Sequence, residues 1–223
     1  MKESVFTRFY WLLLMILIVI VIGLSCADVP STGPTPPELI SKFRFVNAAA
    51  DLGTITFAVD EKSMGSLDYK ASTATMDFPA GSHEIILSNN EKLLVAMSTY
   101  RKGIVVITPK IDTVRSAINL GERRTFDPAE TDTGMVRFVH AAAAPKDVTV
   151  KVAGALNVSK DLTYKGDTGF IKMPFGDYTV SVFESGVANA LLSTTISVSN
   201  KRLTCIVVGN DAANLGTVAL LDE

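Results

Sequence analysis

Cysteine and histidine are almost absent from this chain of 223 residues, which holds Cys26, Cys205, His83 and His140 and no others. With no CxxC, HExxH or related spacing among them, a standard zinc site is excluded. No metal and no other cofactor is expected. A disulfide framework is excluded as well. Cys26 closes an N-terminal hydrophobic run, whereas Cys205 lies inside Leu203-Thr204-Cys205-Ile206-Val207-Val208, and cross-link geometry does not join two such contexts. Cys205 reads as a buried, inert thiol. No Gly-x-Ser-x-Gly elbow, phosphate loop or dinucleotide fingerprint is present, so the local patterns that position a nucleophile or cradle a phosphate are missing. No window places apolar residues at i, i+3, i+4 and i+7 in the manner of an amphipathic helix. Excess charge is lacking too. The formal net charge is −2, and setting aside residues 1–25 with Lys2, Arg8 and Glu3 leaves 19 basic against 22 acidic residues. That balance gives no electrostatic reason to expect nucleic acid.

What is present begins with a leader. Lys2 and Arg8 precede a nearly unbroken apolar run from Phe9 to Leu24, followed by Ser25-Cys26-Ala27. A charged start, an apolar centre and small residues at the break are the parts of a secretory signal. Ile22-Gly23-Leu24-Ser25-Cys26 resembles a bacterial lipobox, which implies that residues 1–25 are removed and that Cys26 is lipidated. An uncleaved anchor is the alternative, because Phe9 to Ala27 is near the lower length that spans a bilayer. Either outcome attaches the chain to a membrane, and stable attachment through lipid takes more than one acyl chain. Ala27 after the cysteine points by the same resemblance to the outer membrane of a bacterial envelope. Residues 26–42 then form a tether with Pro30, Pro34, Pro36 and Pro37. Proline excludes helix and central strand, and polyproline geometry would give a spacer of roughly 40 Å.

Behind the tether one stretch occurs twice. Arg44-Phe45-Val46-Asn47-Ala48-Ala49-Ala50 returns 93 residues later as Arg137-Phe138-Val139-His140-Ala141-Ala142-Ala143. Leu67-Asp68-Tyr69-Lys70 is matched by Leu162-Thr163-Tyr164-Lys165, and Pro79-Ala80-Gly81 by Pro174-Phe175-Gly176. The boundaries that follow are a first repeat over 43–120, a linker over 121–134 and a second repeat over 135–223. Two units of roughly 90 residues can each bury a workable core. In Thr54-Ile55-Thr56-Phe57-Ala58-Val59-Asp60 apolar residues alternate with the rest, the signature of a strand buried on one face. Similar strands are expected near 43–49, 73–78, 82–88, 93–99, 103–108 and 112–119. Pro79-Ala80-Gly81 and Asn89-Asn90-Glu91 read as hairpin turns. About seven short strands per repeat predict an all-β protein of two tandem sandwiches.

Arg137-Phe138-Val139-His140-Ala141, Ala144-Pro145, Asp147-Val148-Thr149-Val150, Tyr164 and Pro174-x-Gly176-x-Tyr178 resemble the bacterial envelope family called domain of unknown function 4397. The first repeat resembles it through Arg44-Phe45-Val46-Asn47-Ala48, Asp51, Tyr69 and Pro79-x-Gly81-x-His83. There Asn47 stands where the family has His, and the proline near Asp51 is missing. The resemblance implies immunoglobulin-like or transthyretin-like sandwiches in secreted or lipid-anchored proteins, and it implies no activity.

No catalytic residue is expected. Three side chains are offered for ligand contact, Arg44, Arg137 and His140. Each has a structural reading beside it. By alternation the arginines face away from the core side of Phe43 and Phe45 and form ion pairs, or else capture an anion. His140 bonds nearby backbone, or else touches a ligand. Asp51 and Asp147 read as turn-formers, and Asp127, Glu130 and Asp132 as solvated linker acids without calcium-loop spacing. The resulting expectation is a non-catalytic envelope lipoprotein that binds or scaffolds, touching the membrane through its lipid and another envelope protein or a glycan through its loops. Its oligomeric state is left open. A glycan-binding accessory protein and an envelope hydrolase with an unrecognised site stand as alternatives.

Overall fold

Runs rich in Val, Ile, Phe and Thr punctuated by Gly, Asn and Pro favour strands. The computed structural model is accordingly all-β, and it describes Leu14 and residues 39–99, 101–123, 132–154 and 158–222. The first half contains β1 (Ile40–Asn47), β2 (Ile55–Val59), β3 (Lys62–Leu67), β4 (Met76–Pro79), β5 (Gly81–Leu87), β6 (Lys92–Met97), β7 (Arg101–Ile107), β8 (Ala117–Asn119) and β9 (Glu122–Arg123). The second contains β10 (Thr133–His140), β11 (Asp147–Ala153), β12 (Val158–Thr163), β13 (Ile171–Pro174), β14 (Gly176–Glu184), β15 (Ala190–Val198), β16 (Arg202–Val208) and β17 (Gly216–Asp222). A 3-10 turn at Ala212–Asn214, capped by Asp211, precedes β17.

Each half is a sandwich, and the two share one topology. An inner sheet runs β4-β1-β7-β8 in the first half and β13-β10-β16-β17 in the second; the outer sheets run β3-β2-β5-β6 and β12-β11-β14-β15. At the centre of each inner sheet lies a parallel pair, β1 with β7 and β10 with β16. The detail repeats as well. Phe45 N–H donates to the Thr73 hydroxyl and Phe138 N–H to the Thr168 hydroxyl, both at 3.0 Å. Lys70 N–H donates to the Asn47 carbonyl at 2.9 Å and Lys165 N–H to the His140 carbonyl at 2.8 Å.

Three cores result. Phe43, Phe45, Val105 and Ile107 of the first inner sheet meet Ile55, Phe57, Ile85 and Val95 of its outer sheet. Val136, Phe138, Cys205 and Val207 meet Val148, Val150, Val180 and Val182 in the second half. The third core lies between the halves, where Val46, Ile104, Val106, Ile118 and Leu120 pack on Val139, Ile206, Val208, Val218 and Leu220. The order of layers is therefore outer, inner, inner, outer, and Leu39–Glu223 form one compact unit. Strands buried on both faces need no alternation, hence the continuous runs Ile104–Ile107 and Leu203–Val208. The outer strands keep it, as in the buried-exposed succession of β6.

Some expected features shift. The segment expected as one strand over 112–119 is a loop as far as Ser116, with β8 reduced to three residues. β3 was absent from the expected strands because it is an exposed edge with only Leu67 buried. β10 begins at Thr133, inside the span read as linker. Pro79-Ala80-Gly81 is not a hairpin turn. β4 pairs with β1 and β5 with β2 and β6, so this tripeptide is a corner at which the chain changes sheets. Gly81 and its counterpart Gly176 take φ of 156° and 146° there, values that an L side chain resists. Asn89-Asn90-Glu91 does close the β5–β6 hairpin, with Asn90 at φ 62°.

The third core predicts cooperative behaviour. Ile206, fully buried between the halves, should cost about 2–5 kcal/mol when replaced by Ala. Both halves should still unfold together in a denaturant titration followed by probes in each; two separate transitions in the wild type would contradict this arrangement.

Candidate functional site

The repeat signature ends each central strand in a buried polar side chain. Asn47 Nδ2 donates to the carbonyls of Gly53 and Leu67 at 2.7 and 2.9 Å, and its Oδ1 accepts from Ala49 N–H at 3.0 Å. His140, also fully buried, sets Nε2 at 2.9 Å from the Pro145 carbonyl. A carbonyl only accepts, so Nε2 carries the proton. Nδ1 then presents a lone pair, and it has no hydrogen-bond partner. Burial pushes the imidazole pKa down, against opposing effects of the Pro145 and Lys146 backbone and of Asp147. The neutral ring is thus a strut for the loop after β10.

Tyr164 stands edge-on to that ring, centroids 6.3 Å apart, and crosses to the first half. Its hydroxyl donates to Thr108 Oγ1 at 2.9 Å and approaches the Pro109 carbonyl at 3.4 Å. Lys146 adds an exposed ion pair to Asp112 at 3.7 Å. The reciprocal residue Tyr69 packs against the third core, but its buried hydroxyl has no partner and burial raises its pKa. Strand register explains the difference. Ile107 pairs with Asn47 and Val207 with His140, so the residue matching Thr108 is Val208, which offers no acceptor. Lys70 instead lays the end of its side chain against Gly216.

Beside Thr108 the first half carries a charged network centred on Arg115, where the second half has Leu215. The Arg115 side chain, 1% exposed, donates Nη1 and Nη2 to the two carboxylate oxygens of Asp51 at 3.1 and 2.5 Å. Its Nε donates to Glu91 at 2.5 Å and its Nη1 to the Thr108 carbonyl at 2.7 Å. Lys110 also pairs with Glu91. Burial works to raise the Glu91 pKa, yet the hydrogen bonds from Lys110, Arg115 and Asn89 outweigh it and hold the carboxyl down from 4.5 to about 2. No local pattern announces this site, since Arg115 meets Asp51 and Glu91 at separations of 64 and 24 residues.

Phe43 and Phe45 point into the first core, so by alternation Arg44 faces the other half, as Val46 does. Arg137 likewise shares the face of Val139. Its Nη2 donates to Thr204 Oγ1 at 3.2 Å, and its guanidinium lies 4.6 Å from the centre of the Phe170 ring. Arg202 reaches the same ring at 5.2 Å. Arg44, Arg137 and His140 thus belong to the inward-facing sides of the inner sheets and their ends, not to one open site. Asp51 is a turn residue that binds Arg115, Asp147 opens β11, and Asp132 is exposed. His83, which replaces a tyrosine, bonds the Pro79 carbonyl through Nε2 at 2.8 Å and Asp60 through Nδ1 at 2.5 Å. Tyr178 makes the matching bond to the Pro174 carbonyl at 3.0 Å. Hydrogen bonds from Glu84 N–H and His83 lower the Asp60 pKa.

Burial raises the Cys205 thiol to about 12, which suppresses the reactive thiolate. Among the described residues no group of three or more His, Cys, Asp or Glu is placed to hold a metal ion. None of their helices is long and apolar enough to cross a membrane. Cys26, the leader apart from Leu14, the tether as far as residue 38, Asp127 and Glu130 lie outside the described residues.

These features define an all-β protein of two sandwich halves whose buried polar side chains hold loops and halves together. Residues 134–223 match the family described as Domain of unknown function (DUF4397). No curated protein matches the chain. Among solved structures, the Bacillus anthracis TIE protein aligns at 14% identity and a TM-score of 0.24, over 79% of this chain and 34% of that one. The chain therefore spans about a third of that structure's length.

The network makes a pH-dependent prediction. A carboxyl whose pKa is lower folded than unfolded stabilises the fold above about pH 4.5, and that contribution disappears as pH falls toward 2. Arg115→Met should lower stability at pH 7 by about 2 kcal/mol, discounted from a fully buried pair because the carboxylates are partly exposed. It should also flatten the stability-pH curve between 4.5 and 2, as read by urea midpoints.

Proposed function

We propose that the chain is a membrane-anchored lipoprotein of the bacterial envelope, carrying two tandem copies of this domain, that acts by binding or scaffolding and not by catalysis. The carrying observation is the third core. It supports a reading in which two sandwiches are joined into one compact unit, with the outer sheets and end loops left as contact surfaces. Tandem duplication draws support from the identical strand orders of the two halves. The side chains suited to reaction chemistry are engaged elsewhere: His140 in a backbone bond, Arg115 between two carboxylates, Cys205 in a core. Tyr69, Tyr164 and Tyr178 pack inward or across the halves while Phe175 is exposed, and a single exposed ring among the described residues favours a protein partner over a sugar-stacking platform.

Anchoring rests on the leader, with Ser25-Cys26-Ala27 after an apolar run and a proline-rich spacer beyond it. Ala27 favours the outer membrane as the destination. Metabolic lipid labelling should mark the wild type and not Cys26→Ala; label retained by the alanine variant would reject the acylation site. Crosslinking in native envelope membranes should capture a specific protein through the loops. Turnover of a soluble substrate by the purified chain would reject the binding role.

A further inference from the structure

An unpaired strand edge offers a row of backbone donors and acceptors to any passing strand, and proteins blunt such edges with charge, bulges, short length or cover. Three of the four outer-sheet edges here are blunted. β3 carries Lys62 and faces a bulge between Phe57 and Ala58. β12 carries Lys160 and Asp161. β6 begins with Lys92, paired to Glu84 at 3.0 Å, while Asn119 Nδ2 donates to the Ala96 carbonyl and Arg115 holds Glu91 at the head of the strand.

The fourth edge is β15, Ala190-Leu191-Leu192-Ser193-Thr194-Thr195-Ile196-Ser197-Val198. Its nine residues include no charge and no proline, and among the described residues it ends its sheet, paired with β14 on one side. The devices that cover β6 have been lost at the matching positions. Register aligns Asn119 with Ala219, opposite Val105 and Cys205 respectively, and Arg115 with Leu215. The one irregularity lies at Leu191, so Leu192 to Val198 run in regular register.

We propose that β15 is the surface through which two copies of this chain associate, edge to edge and antiparallel, joining their outer sheets into one of eight strands. The sequence of the strand selects a second copy. Pairing about Thr195 sets Thr195 opposite its twin and Ser193 opposite Ser197 on the exposed face. Leu192 falls opposite Val198 and Thr194 opposite Ile196 on the inner face. Such an interface is isologous, so each contact occurs twice. A charged strand paired with itself in this way would oppose like charges near the axis, and β15 has none. Ser193 and Ser197 are already oriented by bonds to Ser181 and Asp177 at 2.7 and 2.5 Å. The association does not depend on how the chain is anchored.

The test uses the full chain in detergent. Sedimentation should find a dimer, and Thr195→Cys should form a covalent dimer under mild oxidation. Thr179→Cys, opposite Thr195 on β14, should not, because its twin lies about 15 Å away by strand spacing. Thr195→Lys should weaken association about ten-fold or more while leaving the β-sheet circular dichroism spectrum unchanged. A monomeric wild type, an undiminished Thr195→Lys dimer, or crosslinking of Thr195→Cys in native membranes only to a different protein would overturn the proposal.

Discussion

Four strands, β1, β7, β10 and β16, are covered on both faces, and most of the architecture follows from how that cover is supplied. Parallel neighbours are ordinarily buried on each side. Within one half only one cover exists, the outer sheet. The second cover is the other half, through Val46, Ile104 and Val106 against Val139, Ile206 and Val208. Alone, either inner sheet would present an apolar face of a kind that soluble monomers rarely expose. The matching strand orders of the halves and their face-to-face packing answer the same physical requirement.

The outer strands were the most legible part of the sequence. Ile55, Phe57 and Val59 alternate with exposed or half-buried neighbours, and the buried face in the structure is the one that alternation indicates. β3 was illegible because an edge strand with one buried residue has no pattern to read. The hairpin reading of Pro79-Ala80-Gly81 failed because turn chemistry reports a change of direction and not which sheet receives the chain. The third core had a signal, the uninterrupted Ile104–Ile107 and Leu203–Val208, but an apolar run fits a strand buried by its own half or by another. Arg115 had none, since its partners meet it only in three dimensions.

Polar groups buried near the third core give that apolar contact its register. Apolar surfaces slide at little cost, whereas an unsatisfied buried polar group is expensive. Tyr164 reaching Thr108 fixes one end of the contact. Asn47 and His140 hold the loops beside it by different chemistry, three hydrogen bonds in one case and a single imidazole bond in the other. Tyr69 shows what happens when the partner is lost: with Val208 in place of a threonine its hydroxyl is orphaned, and the packing of its ring remains.

The same comparison bears on the Arg115 network. Its counterpart Leu215 fills the equivalent corner by packing against the second core, and a buried ion pair is commonly no more stabilising than an apolar replacement of similar size. Net stability is therefore a poor account of why one half keeps the charges. Position is a better one. Arg115 binds the carbonyl of Thr108, while the Thr108 hydroxyl donates to the Ser116 carbonyl at 2.8 Å and accepts from Tyr164. The guanidinium fixes a residue whose side chain links the halves, and Val208 has no such bond to make. Charge persists where orientation across the junction depends on it, and apolar packing replaces it where it does not.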